Sequence, residues 1–129
     1  MKILAIGDPH GDLKKIRKIP MGGIDLILVT GDLGSANLAR EMAFGNIKRK
    51  KEGLDEIEYT PSQRKKAFME AYDSTIKVFK YLTRFAPVYT IFGNVESSNK
   101  DTRRLSKKIG FDLPLLYDDL NSLSDVRVI

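Results

Sequence analysis

Asp25-Leu26-Ile27-Leu28-Val29-Thr30-Gly31-Asp32 is the stretch that decides the fold. Its unbroken run of branched and aliphatic residues reads as a strand suited to burial on both faces, the pattern of a parallel sheet. It ends abruptly in Gly-Asp, a polar loop start. The same construction recurs on either side. Upstream, Lys2-Ile3-Leu4-Ala5-Ile6 runs into Gly7-Asp8-Pro9-His10-Gly11. Downstream, Val88-Tyr89-Thr90-Ile91-Phe92 runs into Gly93-Asn94-Val95-Glu96.

Helical patterns separate these strands. Asp12 is the expected cap of a short amphipathic helix over Leu13 to Ile19, with Leu13, Ile16 and Ile19 on one side. Met21-Gly22-Gly23 turns the chain. Ser35 to about Lys50 reads as a helix weakened by Gly45, and Gly53 to Tyr59 as a polar connection. Thr60-Pro61-Ser62-Gln63 is a strong helix start, with a cap, proline at the first helical position and a capping box. The helix that follows carries Phe68, Tyr72, Ile76, Phe79 and Leu82 along one side, a stripe expected in the core, and should stop near Phe85 because Pro87 disfavours helix at Ala86. A further helix is expected over Thr102 to Ile109, closed by Gly110, with strands at Leu113 to Tyr117 and Val126 to Ile129. Strand and helix alternate, so the chain is an α/β domain with a mostly parallel sheet, right-handed crossovers and flanking helices.

Composition narrows the classes. In 129 residues, 42% hydrophobic and 30% charged describes one globular unit rather than a disordered chain. No apolar run reaches the roughly 18 residues a membrane helix needs, and Ile3 to Ile6 is too short for a signal peptide. The absence of cysteine excludes disulfide scaffolds and thiolate zinc sites and fits a cytoplasmic location. The net charge of +5 permits phosphate-bearing partners. Its basic clusters, Lys48-Arg49-Lys50-Lys51 and Arg64-Lys65-Lys66 among them, are spread over several helices and interleaved with acids, which fits a solvated surface better than a nucleic-acid footprint. His10 is the single histidine, so no mechanism that needs two can be served by this chain alone.

The chemistry gathers at the strand ends. In an open parallel sheet, functional groups collect beyond the carboxyl ends of the strands. Asp8, His10, Asp32 and Asn94 would there share one cleft, bringing two carboxylates, one imidazole and one amide oxygen. Such a donor set suits Mn2+, Mg2+, Fe or Zn2+ better than a soft metal. Singly, each residue also has a plainer reading: His10 as a surface histidine, Asp32 and Asn94 as caps or Asx-turns. Glu96 is better placed to shape its loop than to bind metal.

Asp8-Pro9-His10, Gly31-Asp32-Leu33 and Gly93-Asn94-Val95-Glu96, in that order on strand ends, resemble the first three motifs of the calcineurin-like metallophosphoesterases. The resemblance covers residues 1 to about 96 by motif, and the remainder only by the order of strands and helices. It implies a four-layer α/β/β/α sandwich of which this chain is the N-terminal part. It also implies roles: Asp8 and His10 on a first metal, Asp32 bridging two, Asn94 on the second metal, where it also binds and orients the phosphate and so counts as catalytic. In the family two metals, Mn2+ being the first expectation here with Mg2+, Fe, Zn2+ or Ni2+ as substitutes, clamp a phosphate ester while a metal-bound hydroxide attacks phosphorus.

Two departures qualify that picture. Val95 stands where the family usually has the histidine that protonates the leaving group, a role worth roughly 10²–10⁴-fold. A small prokaryotic branch of the family also lacks it and still resembles phosphodiesterases. The late histidine motifs are absent as well, since no histidine follows Asn94. The expectation is therefore a single domain lacking its C-terminal part, binding one metal or fewer, and acting on a phosphodiester or activated phosphomonoester. The sheet, apolar on both faces, calls for identical chains packed together or for the missing C-terminal segment. The alternative is a catalytically degenerate scaffold that binds a partner protein, as a retromer subunit of this family does. The many lysines and acids also suit a thermophile.

Overall fold

The computed structural model describes residues 1–8, 10–91 and 97–129. Strands β1 (Ile3–Ile6), β2 (Leu26–Val29), β3 (Val88–Thr90) and β4 (Val126–Val128) form one parallel sheet in the order β1-β2-β3-β4. Between them run α1 (Leu13–Arg17), α2 (Asn37–Lys51), α3 (Pro61–Leu82), α4 (Asn99–Ile109) and α5 (Leu116–Ser122). The alternation read from the sequence is thus the architecture, and the chain is an α/β protein with a mostly parallel sheet and flanking helices. Among the described residues, no helix is long and apolar enough to cross a membrane.

The strand order has a direct consequence. Each β-α-β crossover is right-handed as a rule, and strands laid down in sequential order place every crossover on the same side of the sheet. That side is filled. Leu4, Ile27, Val88 and Val126 form one row across the four strands, and Ile6, Val29, Thr90 and Val128 the next. Against these rows pack Ile16 of α1, Val78, Phe79 and Leu82 of α3, and Leu116 and Leu120 of α5. On the opposite face, Ala5, Leu28, Tyr89 and Arg127 form a row that the described residues leave exposed. Leu28 is 37% exposed, Tyr89 40% and Ile3 50%, whereas Ile27 is fully buried. The β2 run is therefore covered on one face only, although its composition suits burial on both.

Local signals place the helix ends. The side chain of Asp12 accepts a hydrogen bond from the Lys15 amide at 3.2 Å and starts α1. Thr60 and Gln63 form the reciprocal capping box, with Pro61 opening α3, as the sequence announces. The helix α4 begins earlier than expected because Ser98 caps it through the Asp101 amide. The strand expected over Leu113 to Tyr117 is not formed: Leu113 is buried in an irregular segment, and the chain enters α5 at Leu116. The apolar run there lacks the alternation that separates strand from helix, while Leu116 and Leu120, one helical turn apart, are both buried. Of the aromatic stripe on α3, Phe79 is buried in the core, but Phe68 and Tyr72 are half-buried and line a cavity. Phe92, assigned to the third strand, lies outside the described residues.

Candidate metal and phosphate site

Beyond the carboxyl ends of β1 and β2 the backbone stays paired. The Thr30 amide donates to the Ile6 carbonyl at 3.1 Å, the His10 amide to the Asp32 carbonyl at 2.9 Å, and the Gly11 amide to the Leu33 carbonyl at 2.5 Å. Two loops that strand order alone makes neighbours are thereby tied to each other at the residues that carry the chemistry. Leu33, fully buried, anchors the second loop in the core.

The same residues hold an unfavourable backbone. Asp8, His10 and Asp32 have φ of 43°, 47° and 51°, in the left-handed region. For a residue with a side chain this costs about 1–2 kcal/mol, and Asp, Asn and His are the types most often found there. Of the described residues outside glycine, only Asp125 shares the property. Three of these four residues thus lie at adjacent strand ends, at the positions the sequence singles out for metal.

Close packing leaves little freedom behind the loops. A Cβ on Gly11 would lie 2.9 Å from the Ser35 amide nitrogen, and one on Gly34 would fall on the Thr75 hydroxyl and 2.7 Å from the Ala71 carbonyl oxygen. The Ser35 amide donates to Ser74 Oγ at 2.7 Å, and Ser74 Oγ in turn donates to the Glu70 carbonyl. The segment after Asp32 is thus clamped to α3.

Asp8 and His10 are exposed and Asp32 is half-buried, so all can be reached from solvent. Asp12, close by in sequence, is committed to capping α1. Asn94, Val95 and Glu96 lie outside the described residues, so the expected second-metal and phosphate-orienting position is not placed. Among the described residues, no three carboxylate or imidazole groups already stand together as a metal cage. The chemistry of the donor set nonetheless fits a hard divalent cation: two carboxylates and one imidazole on loops bonded to each other.

Sequence reasoning located these residues but missed their backbone state. The signal was available, since Asp and His beside Gly7, Gly11 and Gly31 are the types that tolerate left-handed conformations. It also missed the cavity between the helices, which depends on how α2 and α3 meet.

The chain is thus a parallel α/β sheet whose adjacent strand ends carry Asp8, His10 and Asp32. The family model for calcineurin-like phosphoesterases matches residues 1–127, essentially the whole chain, and the chain belongs to that family. At the family level this match points to phosphoester hydrolysis that depends on a divalent metal. No curated protein and no solved structure matches the chain.

Proposed function

We propose that Asp8, His10 and Asp32 hold a divalent cation, Mn2+ by preference, and that the chain hydrolyses a phosphodiester or an activated phosphomonoester. The observation that carries this reading is the coincidence of left-handed backbone at all three residues with the His10–Asp32 and Gly11–Leu33 hydrogen bonds. Together they put the two motifs on one edge of the sheet.

A divalent cation at such a site supplies Lewis acidity toward the phosphoryl oxygens and a nucleophile from water at neutral pH. The chain's own residues supply the rest. Asp8 and Asp32 bring the negative charge that holds a cation, and Asp32 has two oxygens with which to face two cations. His10 would contribute a ring-nitrogen donor on a backbone fixed by its amide hydrogen bond. In this reading Asn94 binds and orients the phosphate. Because Val95 cannot donate a proton, good leaving groups should react best.

The test is Asp32→Asn in the longest natural form of the protein. Asparagine tolerates the left-handed backbone, so the fold should persist. We expect the wild-type 129-residue chain, dialysed in Mn2+, to retain about one equivalent or less. In the longest form, Asp32→Asn should lose both retained metal and cleavage of an aryl phosphodiester. Equal activity of the two proteins would sink the assignment.

A second reading has its own observation, the uncovered sheet face bearing Ile3, Leu28, Tyr89 and Ile91. It supports a chain that works within a larger assembly, either with identical chains packed sheet to sheet or with further polypeptide over that face.

A further inference from the structure

Between α2, α3 and the start of α4 lies a cavity of about 640 Å3, within the range of small-molecule sites. Its long walls are smooth. Ala39 and Ala43, one turn apart on α2, line it together with Ala67 and Ala71, one turn apart on α3. Side chains this small leave a slot where larger ones would interlock, and no residue of α2 is fully buried. Further lining comes from the rings of Phe68 and Tyr72, stacked with centroids 6.3 Å apart and planes at 18°. The Tyr72 hydroxyl is fixed on Asp119 Oδ2 at 2.5 Å, which holds that ring in place.

The slot is kept open by polar ties at its rim. The Leu38 amide donates to Glu70 Oε1 at 3.0 Å and fastens the first turn of α2 to α3. At the far end, Asn46 makes two hydrogen bonds with the Ile57 backbone, and Arg49 donates to the Asp55 carbonyl, strapping the connection onto α2. The first bond ties α2 to α3, and the others hold the connection against α2. Arg40 and Arg64 are among the residues that line the cavity, Arg40 also lining a neighbouring groove on α2, and neither side chain has a hydrogen bond or ion pair with a described residue.

Its position ties it to the strand ends. Ala36, four residues after Asp32, lines the cavity on one side, and Ser97, three residues after Asn94, lines it on another. The clamped segment from Gly34 to Ser35 joins the Asp32 loop to the cavity wall as one packed piece.

We propose that this cavity receives the organic group of the phosphoester, a flat aromatic ring carrying a second negative charge. This rests on the hydrolase reading above. The slot between alanine walls admits a planar group, the Phe68 and Tyr72 rings offer it aromatic contact, and Arg40 and Arg64 meet its anionic substituent. The strand-end site then holds the phosphoryl group and the helices choose what is attached to it.

The probe is (6-carboxy-2-naphthyl)methylphosphonic acid, whose ring is joined to phosphorus through carbon and is not hydrolysed, followed by its own fluorescence in the Mn2+-loaded full chain, with dimethyl phosphate as the ringless competitor. Ala43→Trp fills the slot from an exposed helix position, and Ala39→Trp does so one turn earlier should the first variant melt early. Either should weaken probe binding about tenfold or more while retained Mn2+ stays unchanged. Arg64→Gln should weaken the carboxylated probe about fivefold and leave (2-naphthyl)methylphosphonic acid nearly unaffected. Wild-type affinity in both tryptophan variants, or a wild-type chain that prefers dimethyl phosphate to the naphthyl probe, would overturn the proposal. Hydrolysis of an aryl phosphodiester is read separately. Intact hydrolysis with insensitive probe binding rejects the cavity and keeps the hydrolase, whereas tryptophan-sensitive binding without hydrolysis rejects the hydrolase and keeps the cavity as the ring site.

Discussion

Ile27 and Leu28 are consecutive residues of β2, nearly identical in chemistry, and their surroundings are opposite. Ile27 is fully buried between Leu4 and Val88 under the helices, and Leu28 is 37% exposed between Ala5 and Tyr89. The two faces of this sheet were written with similar residues but received different cover. On the helical side, α1, α3 and α5 close over the strands. On the other, Ile3, Leu28, Tyr89 and Ile91 present an apolar surface on which Arg127 is the charged residue. Apolar strand residues alone do not produce a core. Burial requires a second layer, and a sheet wound in one direction makes only one.

The largest expected effect tests this contrast directly. Ile27→Ala should cost about 2–5 kcal/mol, because it removes buried methylenes and leaves a cavity in a packed face. Leu28→Ala should cost less than about 1 kcal/mol, the range of partly exposed positions. Urea unfolding of both variants, read as midpoint shifts at constant slope, measures the difference. Equal losses would break the comparison and show that Leu28 is covered in solution.

A smaller effect concerns what covers the open face. If identical chains pack there, light scattering behind size-exclusion chromatography should give a dimer or larger species for the wild type. Leu28→Lys with Tyr89→Lys should then give a folded monomer whose unfolding midpoint no longer rises with protein concentration, as a dimer's does. A wild-type monomer that stays soluble at micromolar concentration would show that the face needs no such partner.

The smallest effect lies in the helical layer. Burial, then the hydrogen bond to Asp119 and the charges of Asp119 and Asp73, push the Tyr72 phenol from its ordinary 10.0 up to about 12. The unfolded chain therefore releases this proton first as pH rises. Above about pH 10 the unfolded state binds fewer protons than the folded one, so stability falls from there until the folded phenol also ionises near 12. Below that window the contribution is fully present. Tyr72→Phe should make stability less dependent on pH between these values, as followed by urea midpoints across the range. An unchanged slope would show that the Tyr72–Asp119 pair is not kept in solution.

Particular residues show where sequence reasoning succeeds. Thr60, Pro61 and Gln63 specify the start of α3 through bonds made within one turn, so nothing distant can alter them. The strands around Leu4, Ile27 and Val88 were legible from composition and from the glycines that end them, and the strand at Val126 from its apolar residues alone. The segment from Leu113 to Tyr117 was not, because four apolar residues around a proline satisfy either geometry and packing against β4 decides between them. At the candidate site, Asp8, His10 and Asp32 were named from their place at strand ends and from motifs that resemble the family's. Their left-handed backbone and the His10–Asp32 bond became visible only with the loops in place.

By itself, then, the sequence determined the first three strands, the starts of α1 and α3, and which strand ends carry acids and the imidazole. Those are properties of neighbours along the chain: period, caps, and glycine at the turns. The tertiary structure alone decided which strand faces are covered, how two motifs become bonded across loops, and that alanines on α2 and α3 leave a slot rather than a seam. Each of these depends on residues far apart in sequence meeting at a particular distance, and sequential strand order with one-handed crossovers sends every helix to the same side.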